Sequence, residues 1–192
     1  YRSDSHRLIK WLNWINIPAG VALISVIGSL FGVIAARPFW NATNMPMQFL
    51  LSSLIAGTAL IMLLHLLFSP LTGTRRYAAT ASELGRLLMW AILIGLLAAS
   101  ANLLTTLYPD VPAKAEAMRL LLFGKYWWSI WIIHLAIGTL IPLYLLAFHR
   151  RSIWALGGAA VLLTSTFVMV PLNLVIPGLA YPTPELSGVV QA

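Results

Sequence analysis

The sequence predicts an all-α integral membrane bundle with five transmembrane helices, and two observations carry this prediction. The composition is 60% hydrophobic and only 9% charged, with a mean hydropathy of +0.87, whereas a soluble domain carries about 25% charged residues. The chain also contains five runs without Asp, Glu, Lys or Arg: 11–36, 38–74, 87–109, 126–149 and 152–184. Because a helix needs roughly 20 apolar residues to cross a bilayer core, each run holds one span and none clearly holds two.

The first three spans have recognisable ends. Trp11 and Trp14 precede the first span, Pro46 opens the second, and Pro109 follows the third. Aromatic rings at span ends sit at head-group depth, and proline is tolerated in the first turn of a helix. We place the five spans at about 17–36, 47–69, 87–107, 126–148 and 152–172.

Proline and glycine positions predict how the spans bend and pack. Pro142 lies inside the fourth span, where its missing N–H predicts a kink. Gly28 and Gly32 in the first span, and residues 157–160 in the fifth, form patches of small side chains. Such patches let helix backbones approach closely, which is how membrane helices gain contact energy in lipid.

The basic residues predict the orientation. An odd number of spans places the N-terminus, the loop 70–86 and the turn 149–151 on one side, with eight Lys and Arg residues against four on the other. By the positive-inside rule, the first side is cytoplasmic. The net charge of +7 therefore reflects topology and lipid contact, and it does not indicate nucleic-acid binding.

The residues that are missing exclude several classes of protein. The chain has no cysteine, so it holds no disulfide, no cysteine-ligated iron–sulfur cluster and no thiol catalyst. It also lacks the short motifs of serine hydrolases, zinc proteases and nucleotide-binding enzymes. Because it starts at Tyr1 without Met and ends without a basic or amphipathic terminus, we expect it to be a piece of a longer subunit.

Few polar side chains lie inside the spans, and these are the candidates for chemistry. They are His65, His134, Asn102, Asn173 and the hydroxyl cluster 164–166. A buried imidazole can pass protons, and ionisable residues within membranes are commonly functional. The structural alternative is a histidine satisfied by a backbone carbonyl. A haem is not expected, because the second and fourth spans run parallel and place the two histidines toward opposite membrane faces.

Several segments together resemble the NrfD-like family of membrane subunits, which includes those of polysulfide reductase and alternative complex III. The most specific is an Arg-Pro-x-Trp loop followed by a proline and a serine-rich span start. The segments read ARPFWN at 36–41, NMPMQFLLSS at 44–53, GTAL at 57–60, LFGKYWW at 122–128, IGTLIPL at 137–143 and NLVIPG at 173–178.

The resemblance implies a multi-pass subunit of the bacterial inner membrane that interacts with a quinone, either menaquinone or ubiquinone. Its implied partners are a ferredoxin-like iron–sulfur subunit and a molybdopterin or multihaem cytochrome subunit. Arg37, Trp40 and Asn41 are then candidates for quinone or partner docking, and His65, His134, Asn102 and Asn173 for a proton relay. No haem, iron–sulfur cluster or other metal is expected within this chain.

The family also sets limits on this interpretation. Its members have eight or more spans, and their quinone pocket is usually assigned to an earlier helix bundle that this chain lacks. Many members carry an Arg shortly before the last asparagine, where this chain has Pro171-Leu172-Asn173. Two alternatives stay open: a fragment of a secondary transporter, in which Pro142 breaks a helix near the midplane, and a purely structural membrane anchor.

Overall fold

The computed structural model describes an all-helical chain. The described residues are 2–33, 45–70, 72–107, 118–119, 122–124, 127–167 and 175. They form α1 (Arg2–Gly32), α2 (Met45–Phe68), α3 (Arg75–Leu107), a π-helix π1 (Ser129–Leu140), α4 (Ile141–Phe148) and α5 (Ile153–Thr166).

Four segments are long and apolar enough to cross a membrane, which confirms the predicted fold class. They are Leu8–Gly32, Met45–Phe68, Arg75–Thr105 and Ser129–Phe148. The fifth apolar helix, α5, has 14 residues, or about 21 Å of helix at 1.5 Å per residue. Most of the remainder of the predicted fifth span, residues 168–172, lies outside the described residues.

Two helices begin earlier than hydropathy predicts. Helix α1 starts at Arg2 instead of residue 17, and α3 starts at Arg75 instead of residue 87. The predicted loop 70–86 is therefore mostly helix. Hydropathy reports immersion in lipid, but helix formation depends on backbone propensity, and the alanine-rich stretch 78–81 favours a helix in either solvent.

Helix α2 lies at the centre of the bundle and packs against α1, α3 and α5, while α4 packs against α5. The short loops 69–74 and 149–152 lie at the same end, because α2 and α4 both end there. We call this end, which carries Arg75, Arg76, Arg150 and Arg151, the basic end. The opposite end, where α2 begins and α3 and α5 finish, is called the cavity end.

The fourth span changes helix type at Pro142. The segment before it is the π-helix, and the N–H of Ile141 donates to the carbonyl of Ala136, five residues back. Proline has no N–H to donate, and its ring clashes with the carbonyl four residues earlier in an α-helix. Wider π turns relieve that clash, so the predicted irregularity at Pro142 is observed as a π-helix.

The basic end is tightly packed. The side chains of Met62, Leu88, Leu146 and Leu156 have 2% or less of their surface exposed, and Ala59, Ala81, Ala159 and Ala160 are fully buried between them.

At the cavity end, the close approach of α1 and α2 is confirmed at Gly28, where an added Cβ would lie 2.6 Å from Cα of Pro46. Beside it, the rings of Phe31 and Phe49 stack with centroids 5.5 Å apart.

Candidate functional site

A cavity of about 390 Å³ opens at the cavity end, between α2, α3, π1 and α5. This volume falls within the range of small-molecule sites. Most of its wall is apolar. The lining residues with polar side chains, besides the indole of Trp131, are Gln48, Ser52, Ser100, Asn102, His134, Thr139 and Thr166.

The hydroxyl groups of the wall mostly bond to their own helices. Ser100 donates to the carbonyl of Leu96 (2.8 Å), Thr139 to that of His134 (2.9 Å), and Thr166 to that of Leu162 (2.6 Å). Their protons are therefore engaged, and they present mainly oxygen lone pairs to the cavity. Such back-bonding is common for Ser and Thr in helices.

The amide of Gln48 and the imidazole of His134 are different. Both side chains are half-buried and line the cavity, and neither makes a hydrogen bond to any residue that the structure describes. Asn102, also half-buried, lines the same cavity from α3. A polar group held in an apolar site without a partner costs free energy, so Gln48 and His134 favour a ligand or water that hydrogen-bonds to them.

One hydrogen bond holds part of the cavity wall in place. The indole Nε1 of Trp131 donates to the carbonyl oxygen of Leu122, at 2.9 Å. Leu122 and Met118 are both buried, and both line the cavity. This bond therefore connects π1 to the chain segment that precedes it.

The other histidine lies at the basic end, outside the cavity lining. The Nε2 of His65 donates to the carbonyl of Tyr77 (3.3 Å), and the two rings stack with centroids 5.1 Å apart. The hydroxyl of Tyr77 donates in turn to the carbonyl of Leu66 (2.9 Å). Leu66 is in the last turn of α2, whose carbonyls have no partner within the helix. These bonds match the structural alternative for His65, and they join the end of α2 to the start of α3.

The structure thus brings three of the predicted candidates together, including Thr166 of the hydroxyl cluster 164–166. His134 and Asn102 share the cavity, while His65 lies at the opposite end of the bundle. Arg37, Trp40, Asn41 and Asn173 lie outside the described residues. Gln48 and Trp131 were not predicted. Gln48 carries a weak signal in hindsight, since it is the only glutamine within the charge-free runs.

Metal-binding groups were not expected, and among the described residues no three His, Asp or Glu side chains come close enough to hold a metal ion.

The sequence comparisons agree with the helical membrane architecture. The family model described as "Polysulphide reductase, NrfD" matches residues 2–182. The chain belongs to the NrfD family. This NrfD-family chain is also 32% identical, over 193 aligned residues, to a selenate reductase subunit of Mesobacillus selenatarsenatis. The alignment covers 100% of the chain and 44% of that relative, so the chain spans less than half of the relative's length.

Proposed function

We propose that this chain belongs to the quinone-interacting membrane subunit of a reductase complex, and that its cavity holds a quinone head group at a place other than the earlier-bundle pocket that the family resemblance implies. The observation that carries the proposal is a pair of side chains, Gln48 and His134, that have no hydrogen-bond partner among the described residues and line a largely apolar cavity of about 390 Å³. Membership of the NrfD family and the similarity to a selenate reductase subunit support it.

The chemistry of the wall suits a quinone head group. A quinone offers two carbonyl oxygens, and a quinol offers two hydroxyl groups. The amide N–H of Gln48 can donate to the former, and the imidazole of His134 can donate or accept in either state. The flat ring of the quinone can pack against the apolar side chains of Ile55, Leu96 and Leu135. A small number of placed polar groups in an apolar cavity is the usual design of such sites.

His134 is proposed to hold the proton that accompanies electron transfer. Interconversion of quinone and quinol moves two protons with two electrons, and imidazole exchanges protons near neutral pH. Asn102, on the facing helix, is proposed to orient the head group or to relay the proton outward. His65 and Asn173 stay candidates for more distant parts of a relay.

Partner subunits are proposed to exchange electrons with the quinone, because this chain has no cysteine with which to hold an iron–sulfur cluster. We propose a ferredoxin-like iron–sulfur subunit, linked to a molybdopterin or multihaem subunit. Arg37, Trp40 and Asn41 lie between α1 and α2 in the sequence and are proposed to dock this partner or the quinone. The complex is proposed to lie in the bacterial inner membrane with the basic end in the cytoplasm.

The transporter alternative has one feature in its favour, which is the change of helix type at Pro142 beside the cavity. The family match extends over residues 2–182 and favours the reductase proposal. An electron-transfer assay separates the two, because a transporter has no quinone-linked turnover.

The decisive experiment compares His134→Gln with His149→Gln in the purified complex. His149 is exposed at the basic end, so its substitution removes a histidine without touching the cavity. Loss of a proton-transferring group typically lowers a rate by about 100-fold or more. We expect that loss in quinone-linked turnover for His134→Gln and full activity for His149→Gln. Equal turnover in both variants, with intact assembly, would reject the cavity as the quinone site.

A further inference from the structure

We infer that the basic end carries a binding site for the head group of an anionic phospholipid, built by Arg86, Arg150 and Arg151. This inference does not depend on the quinone proposal, since the site lies at the other end of the bundle. The site joins α3 to the turn between α4 and α5.

Packing places Arg150 against α3 at Gly85, the residue before Arg86 in the sequence. The Cγ atom of Arg150 lies 3.8 Å from the position that a Cβ on Gly85 would occupy, so its stem rests on α3 next to Arg86. The turn itself is hydrogen-bonded: His149 N–H donates to Leu145 O, and Ser152 N–H donates to His149 O, both at 2.9 Å. The backbone of the turn therefore holds Arg150 beside α3.

Among the described residues, only Arg86 of this site is paired with a protein carboxylate. Across the described part of the chain, the only ion pair joins Arg86 to Glu83, between two exposed side chains one turn apart. Such exposed pairs contribute little. Arg150 is half-buried, and neither it nor Arg151 forms an ion pair with a described residue. A partly buried guanidinium at a membrane boundary favours a bound anion, and phosphate matches its fork of donors.

The surroundings indicate that this anion has acyl chains. Trp90 follows Arg86 by four residues, on the same face of α3, and is 57% exposed. Phe148, just before the turn, is 75% exposed. A phosphate above an apolar, aromatic surface is the pattern of a phospholipid, whose chains cover the side chains beneath its head group. A soluble acidic protein has nothing that would cover them.

The experiment uses the chain in its complex, purified in mild detergent, with tetraoleoyl cardiolipin as the probe. Retention of this lipid is measured by native mass spectrometry, against dioleoyl phosphatidylcholine and against inorganic phosphate. Three variants are compared: Arg150→Gln, Glu83→Gln and Arg76→Gln. The last is the matched control, because Arg76 is an exposed arginine at the same end.

We expect Arg150→Gln to reduce cardiolipin retention by about fivefold, the effect of one basic residue at an anionic membrane surface. Glu83→Gln leaves Arg86 without its protein carboxylate and is expected to raise retention. Because this second variant removes no packing contact of the core, it tests the site even where Arg150→Gln folds poorly. Arg76→Gln is expected to have a smaller effect than Arg150→Gln.

Three results would overturn the inference. Equal losses for Arg76→Gln and Arg150→Gln would indicate diffuse attraction without a site. Inorganic phosphate that displaces the lipid at equal concentration would indicate a free-phosphate site. If a partner protein covers Arg150 and no lipid is retained, the surface is a protein interface.

Discussion

The two ends of this bundle contain similar residues but pack in opposite ways. At the basic end, large side chains such as Leu146 and Leu156 fill the space between buried alanines, and little surface is left open. At the cavity end, small residues such as Ala56, Gly95 and Ala98 face a cavity of about 390 Å³. Small residues are therefore buried in tight packing at the basic end, whereas at the cavity end they line an open volume.

The difference lies in how closely the helices approach. Small residues gain contact energy only where a neighbouring helix comes close enough to touch them. Helix α3 packs against α4 and α5, but it has at most marginal contact with π1. The widened turns of π1 thus border the cavity. Trp131, near the start of π1, and Gly138, near its end, both line it. Gly138 itself is tightly packed, with an added Cβ lying 2.8 Å from Oγ1 of Thr166.

The largest expected effect tests the packed end. Leu146→Ala removes a fully buried side chain and is expected to lower the free energy of unfolding by about 2–3 kcal/mol, the lower part of the range for buried leucine. Lipid replaces part of the transfer term, so the loss is mainly one of contacts. Leu103→Ala at the cavity wall is the control, with an expected loss below about 1 kcal/mol. Unfolding in SDS, followed by tryptophan fluorescence, measures both; equal losses would contradict the comparison.

A somewhat smaller effect is expected where α1 meets α2. Gly28→Ala places a methyl group 2.6 Å from backbone Cα of Pro46, which cannot yield as a side chain can. Overpacking of this kind costs about 1–3 kcal/mol. Gly20→Ala makes the same change in the same helix, where nothing lies within 4 Å. We expect the thermal midpoint to fall for Gly28→Ala only, as followed by size-exclusion chromatography after heating.

The next prediction compares how His65 and His134 contribute to stability. His65→Leu removes the bond to the Tyr77 carbonyl and the ring stacking, and is expected to destabilise the fold by about 1 kcal/mol. His134→Leu removes no hydrogen bond of its side chain to a described residue, so stability is expected to be unchanged or higher. SDS unfolding of both variants is the measurement. A larger stability loss for His134→Leu would show that the imidazole supports the fold.

The smallest effect is expected at the cavity wall. Trp131→Phe keeps an aromatic ring but removes the donor to Leu122, at a cost of about 0.5–1 kcal/mol. Trp128→Phe is the matched control, because its side chain is exposed and does not line the cavity. Since the chain has no cysteine, a cysteine introduced as Ser52→Cys is the single labelling site, and its rate of labelling measures how accessible the cavity is. We expect faster maleimide labelling of that cysteine with Trp131→Phe and no change with Trp128→Phe.

Particular elements show how far sequence reasoning reached. The ends of α2, predicted at 47 and 69, are observed at Met45 and Phe68, because hydropathy changes sharply at both. Helices α1 and α3 begin before the predicted spans, since both continue beyond their apolar stretch. Pro142 indicated an irregularity, but the sequence did not distinguish a kink from a π-helix, because either one relieves the clash of the proline ring.

The site was predicted only in part for a similar reason. His134 and Asn102 could be singled out as polar residues within apolar spans, and both line the cavity. His65 was singled out on the same ground, yet it bonds to a backbone carbonyl at the other end. Polarity within a span shows that a side chain needs a partner. It does not show whether the protein supplies one.

The sequence by itself determined the class of protein and the family, because both depend on local composition and on short motifs. Only the tertiary structure decided which histidine is satisfied and which faces open space. That distinction depends on how closely helices approach one another, and this distance is set by side chains from several spans at once.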